Sequence, residues 1–232
     1  MDKKKFLTFS YDDGVTQDIR LIELFNKYGM KATFNLNSQL LGHRNELKWD
    51  NVRVSHNKVS REDVKYIYDG HEIAAHTLTH PNLTHINDEN EIIHQVEADR
   101  VALSELCGYE VLGMAYPCGG VNYNTYVSET IKKNTGIRYA RTIISNKDFS
   151  VQNNLYEFKP TVYHHDEFDE MIHLGKRFLE LKASDPVIFY IWGHSYEFDA
   201  DNNWKRFEEF LEMMSGRTDV RYCTNREVLL KV

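Results

Sequence analysis

From end to end, short runs of β-branched and aromatic residues alternate with longer stretches whose apolar positions recur at helical spacing. "KFLTFSY" predicts a strand, and "TQDIRLIELFNKYG" a helix with Ile19, Ile22 and Phe25 on one face and Gly29 as its stop. "KATFNLN" is the next strand. "SREDVKYIYDG" predicts a helix with a capping box of Ser60 as N-cap and Asp63 where Glu is usual. "HEIAAHT" predicts a third strand, followed by a long helix over "NDENEIIHQVEADRVALSELCG", apolar at Ile92, Ile93, Val96, Leu103 and Leu106. Strands over "VLGMAYP", "IRYARTI", "KPTVYHH", "PVIFYIWGH" and "VRYCT" complete the series, separated by helices over "YNTYVSETIKKNTG", "DEMIHLGKRFLELK" and "NNWKRFEEFLEMMSG".

This order predicts about seven or eight parallel strands, nearly all followed by helices, closed as an α/β barrel or laid out as an open doubly wound sheet. With 232 residues, 41% of them hydrophobic, the chain can bury a full core, and residues 1–232 are expected to form a single domain. "GHRNELKWDNVRVSHNKVS" has weak periodicity and reads as a long surface excursion of the kind that contributes to binding sites.

The net charge is −7 and there is no long Lys/Arg cluster, which argues against nucleic acid or an anionic membrane surface as partner. The N-terminus lacks the apolar region of a secretory signal and no stretch is long enough to span a bilayer, so the expected location is cytoplasmic. Cys107, Cys118 and Cys223 have no metal-binding or disulfide spacing and read as reduced, buried thiols.

In an α/β barrel the chemistry gathers at the C-terminal ends of the strands. That rule brings Asp12 and Asp13, His76 and His80, Tyr116 to Gly119, Arg141, His164 to Asp166, and Trp192 to Ser195 onto one rim. "HTLTH" spaces His76 and His80 four apart, which suits two imidazoles on one metal ion, although among 11 histidines such a pair also arises by chance. A carboxylate at the same rim completes a two-His, one-Asp divalent-metal site with open positions. Adjacent residues at a strand end point in different directions, so one acid of "DDG" can bind the metal while the other faces the bound water. Alternatively, "DDG" is a turn in which one Asp caps the helix starting near Thr16. His194 is either a core histidine or a general acid, and "YPCGG" either a plain turn or a source of a backbone N–H for an oxyanion.

Taken together, "TFSYDDG", "HTLTH", "YPCGG" and "IWGH" resemble the motifs of the polysaccharide deacetylases, the fourth family of carbohydrate esterases. The resemblance implies a distorted seven- to eight-stranded (β/α) barrel. It also implies metal-dependent removal of acetyl groups from an acetylated saccharide, more as an N-deacetylase than as an O-acetyl esterase. Asp12 would be the general base, Asp13, His76 and His80 the metal ligands, and His194 the general acid. Tyr116, Pro117, Cys118 and Gly119 would form the oxyanion and substrate loop, with Trp192 beside them. The metal would be zinc, with cobalt, nickel or manganese as alternatives.

Two positions depart from the family pattern. Ala115 stands where an arginine partner of the base is usual, and Arg141 is the candidate replacement. The Asp-Trp segment that orients the acid has no clean counterpart; Asp148 and Asp166 are the carboxylates to consider, and Tyr11, Tyr116 and Trp192 the aromatic wall. Competing readings are an allantoinase-like hydrolase of a non-sugar C–N bond and a non-catalytic metal- or saccharide-binding module.

Overall fold

The computed structural model describes residues 3–49 and 51–231; Met1, Asp2, Asp50 and Val232 lie outside them. Among the described residues there are ten strands: β1 (Lys5–Asp12), β2 (Thr33–Leu36), β3 (Glu46–Trp49), β4 (Val52–Ser55), β5 (Glu72–Ala75), β6 (Gly113–Ala115), β7 (Tyr139–Arg141), β8 (Val162–Tyr163), β9 (Val187–Gly193) and β10 (Val220–Tyr222). Between them lie α1 (Asp18–Lys27), α2 (Val64–Ile67), α3 (Glu89–Cys107), α4 (Thr125–Asn134), α5 (Phe168–Glu180), α6 (Glu197–Ala200), α7 (Trp204–Met214) and α8 (Asn225–Leu229).

Eight strands form one parallel sheet in the order β7-β6-β5-β2-β1-β9-β8, with β10 also paired to β1. The sheet curls into a distorted α/β barrel, as the alternation of elements predicts. Its centre is β1, in which all eight residues are buried. Being covered on both faces, it buries the polar Lys5, Thr8, Ser10 and Asp12 along with its apolar residues. β9 pairs with β1 in register from Lys5–Val187 to Tyr11–Gly193, so both strands end at the same rim. Between β7 and β8 the barrel is not closed by a strand pair; a bridge from Arg141 to Phe158 and a bond from the Thr142 amide to the Phe158 carbonyl (2.9 Å) span that seam.

Several local expectations need correction. On α1 the buried side chains are Asp18, Leu21, Ile22 and Phe25, whereas Ile19 is exposed. Asp18 takes the inner place because Tyr68 Oη (2.7 Å) and Ser195 Oγ (2.6 Å) donate to its two oxygens. Ser60 makes no capping box, since its hydroxyl bonds the Asp63 carboxylate (2.6 Å) in a turn before α2. Nor does either acid of "DDG" cap α1, whose N-cap is Gln17.

The excursion is not without structure among its described residues. It carries the antiparallel hairpin β3–β4, and the segment after it is stitched onto the end of β1 by Thr16 N to Asn57 O (2.8 Å) and Val59 N to Gly14 O (2.9 Å). Gly14 is required there: its φ is +61°, and a Cβ would stand 2.6 Å from Leu36 Cδ2. Of the three free thiols only Cys223 is buried; Cys107 and Cys118 are half-buried. Among the described residues, no helix is long and apolar enough to cross a membrane.

Candidate active site and metal centre

The C-terminal ends of the strands surround a cavity of about 810 Å³ lined by Asp12, Asp13, His76, His80, Cys118 and His194 among others. Asp12 is the last residue of β1. Asn35 of β2 donates to its Oδ1 (2.7 Å), and the guanidinium of Arg141, at the end of β7, bonds its Oδ2. Arg141 is fully buried, donates to the Thr142 carbonyl (3.2 Å) and lies over the Trp192 ring, 4.4 Å from its centroid. Arg141, paired with Ala115 across β6 and β7, thus brings its guanidinium into an ion pair with Asp12.

Asp13 has a φ of +83°, in the left-handed region that non-glycine residues seldom adopt. Its carboxylate faces His56 Nε2 (3.0 Å from Oδ2), Lys58 Nζ (3.3 Å from Oδ1) and His80 Nε2 (3.6 Å from Oδ1). Burial opposes its ionisation. The charge of Lys58, the His56 hydrogen bond and the charges of His194 and His80 outweigh that and hold the carboxyl well below its usual range.

His76 Nδ1 lies 2.8 Å from the Ala115 carbonyl, which must accept from it, so the proton sits on Nδ1 and leaves the Nε2 lone pair free. Burial lowers the pKa of His76 to about 4 and also lowers that of His80, against the pull of the aspartates, which favours the neutral rings that metal ligation requires. Ligand atoms of Asp13, His76 and His80 all lie within 4.8 Å of one another, a donor set that fits a divalent ion of the zinc class. The backbone that presents the first histidine is braced by Asp99 of α3, whose carboxylate accepts from the amides of His76 (3.0 Å) and Ser38 (2.7 Å).

His194 follows β9 and lies 5.0 Å, ring to ring, from Tyr196. Its Nδ1 is 2.9 Å from Glu197 Oε1, and its amide donates to Oε2 (2.9 Å). Burial would favour the neutral ring, but the charge and hydrogen bond of Glu197, with Asp13 and Asp12 beyond, raise His194 to about 9. Burial likewise opposes ionisation of Glu197, yet His194, His164 and a hydrogen bond from Tyr163 Oη bring it down to about 2. The carboxylate paired with His194 is thus Glu197, and neither Asp148 nor Asp166. Asp148 instead bonds Ser150 and the Phe149 amide, and Asp166 is an exposed side chain at the cavity mouth.

The "YPCGG" loop reaches the cavity through Tyr116, Cys118 and Gly119, while Pro117 is buried beneath. Cys118 has a φ of +71°, and buried Asn122 braces it by donating to the carbonyls of Tyr116 (3.1 Å), Pro117 (3.2 Å) and Cys118 (2.9 Å). Trp192 stacks on Tyr163 with centroids 4.2 Å apart, and both line the cavity. Tyr11 does not: it is fully buried among Phe25, Phe34, His164 and Phe198. His164 is likewise a core residue, stacked on Phe198 at 4.3 Å. Sequence reasoning missed Asn35, His56, Lys58, Asn122 and Glu197. For Glu197 a signal existed, a carboxylate one helical turn after the histidine in "GHSYEF".

The family model described as polysaccharide deacetylase matches residues 1–140, and the chain belongs to that family. In three dimensions it is similar to a protein from Mycobacterium smegmatis assigned to the polysaccharide deacetylases (TM-score 0.70, 15% identity, 99% of this chain and 90% of that one). It is also similar to a family 4 carbohydrate esterase from Streptomyces lividans in complex with acetate (TM-score 0.58, 13% identity, 99% and 96%). The match to the Streptococcus pyogenes deacetylase PplD in complex with acetate has a TM-score of 0.53 and 19% identity, and covers 65% of this chain but 61% of that one. At these identities the likenesses establish the fold. No curated protein sequence matches this chain.

Proposed function

We propose that residues 1–232 act as one catalytic domain, a metal-dependent hydrolase that removes acetyl groups from a carbohydrate, most simply by N-deacetylation of an N-acetylated sugar. The observation that carries this reading is the gathering of Asp13, His76 and His80 between a buried Asp12–Arg141 pair and a His194–Glu197 pair around one cavity. Asp13, His76 and His80 would hold the metal, zinc in this proposal and cobalt, nickel or manganese in its place. When bound, the ion supplies Lewis acidity toward water and the acetyl carbonyl.

Asp12 takes the proton of the attacking water, its free lone pairs oriented by Asn35 and Arg141. The developing oxyanion lies against the backbone N–H of Cys118, whose left-handed conformation is fixed by Asn122. His194, kept protonated by Glu197, donates to the departing amine or alcohol. Half-buried Tyr163 and Tyr196 offer aromatic surface for the apolar faces of the sugar ring, whereas Tyr116 and Trp192 are almost wholly buried.

The test is release of acetate from a panel of N- and O-acetylated mono- and oligosaccharides with added zinc or cobalt. Release from at least one, abolished by chelation, is expected; a protein that binds metal stoichiometrically and releases none from any would refute the reading.

A further inference from the structure

We propose that Lys58 is a resident counter-cation of the metal centre, holding Asp13 in place before a metal ion arrives and weakening the binding of that ion. The inference rests on reading Asp13, His76 and His80 as the ligands. Lys58 is buried, with 8% of its surface exposed, and its ammonium donates to the Asp13 carbonyl (2.7 Å) while lying 3.3 Å from Oδ1 of the same residue. One side chain thus fixes both ends of a residue whose φ of +83° has no glycine to make it easy.

The main chain that carries Lys58 is pinned beside Asp13. Lys58 N donates to the His43 carbonyl (2.9 Å), its residue bridges Val15, and its neighbours Asn57 and Val59 are bonded to Thr16 and Gly14. A dication bound to Asp13 would therefore share the carboxylate with a positive charge at close range in a partly dehydrated cavity, where charges interact far more strongly than in water. Around it, Asp12 is committed to Arg141 and Glu197 to His194, while buried Asp18, which also feels the Lys58 charge, accepts from Tyr68 and Ser195.

Zinc affinity, read by competition with a chromophoric chelator on protein shown to be folded by circular dichroism, tests this without reference to turnover. Lys58→Gln removes the charge but keeps a donor, and Lys58→Met removes both. Each is expected to bind zinc at least about tenfold more tightly than the parent, whereas Lys58→Arg stays within about twofold. With chelator present, Lys58→Met is expected to unfold at a lower temperature than the parent. Equal or weaker zinc binding by Lys58→Gln, the outcome for a lysine that merely props the loop, would overturn the proposal. His80→Ala separates the two levels: unchanged zinc affinity in that variant would show that the ligand assignment itself is wrong.

Discussion

Replacing Glu197 by Gln keeps the size of the side chain and removes the charge that sets the protonation of His194. Both carboxylate oxygens are engaged, Oε1 by His194 Nδ1 and Tyr163 Oη and Oε2 by the His194 amide. A rise of His194 from 6.5 to about 9 corresponds to roughly 3 kcal/mol of preference for the imidazolium. Without Glu197, burial and the more distant aspartates remain, and the His194 pKa is expected to fall by about two units or more.

Two assays read this. An NMR titration of the metal-free protein should place His194 near 9 in the parent and close to neutrality in the variant. The basic limb of the pH profile of kcat/KM for acetate release should move down in the same direction. Stability follows from the signs of the shifts. The raised His194 contributes fully below 6.5 and is lost as pH rises through about 9. The lowered Glu197 contributes fully above 4.5 and is lost as pH falls through about 2. The Tm gap between parent and Glu197→Gln is therefore widest between pH 4.5 and 6.5 and narrows toward pH 9. An unmoved His194 titration would refute the reasoning.

Two further substitutions probe the supports of the site. Arg141→Met leaves Asp12 buried without its cation and should lower kcat/KM by on the order of a hundredfold, with Arg141→Lys unable to restore it because the guanidinium spans Asp12, the Thr142 carbonyl and the Trp192 face. Steady-state kinetics on the best acetylated substrate checks this, and near-parental rates for the Met variant would count against it. At Gly193, a Cβ would stand 1.9 Å from His164 Nδ1, so Gly193→Ala must displace a fully buried ring and is expected to cost about 1–3 kcal/mol in urea unfolding.

Much of this arrangement was legible in the chain because its physics is local. β1 announces itself by closely spaced Phe6, Leu7, Phe9 and Tyr11, and the rule that chemistry sits at strand ends brings Asp12, His76, Arg141 and His194 to one rim from the sequence alone. What escaped is what depends on packing between distant segments. The strands β3 and β4 are four residues each and mostly exposed, so their alternation is too brief to stand out, yet they deliver His56 and Lys58 to Asp13. Ile19 matched the helical stripe but lost the inner position to Asp18, whose two hydrogen-bond partners come from Tyr68 and Ser195. Glu197 is hard to read from the sequence because only the turn into the short helix α6 folds it back onto His194 from downstream.

The central claim is that the adjacent acids divide the labour, Asp13 holding the metal and Asp12 moving the proton. Zinc content and acetate release measured side by side on the parent, Asp13→Ala and Asp12→Asn test it directly. Asp13→Ala is expected to lose both metal and turnover, while Asp12→Asn retains stoichiometric metal and loses turnover; normal acetate release by both variants would overturn this division.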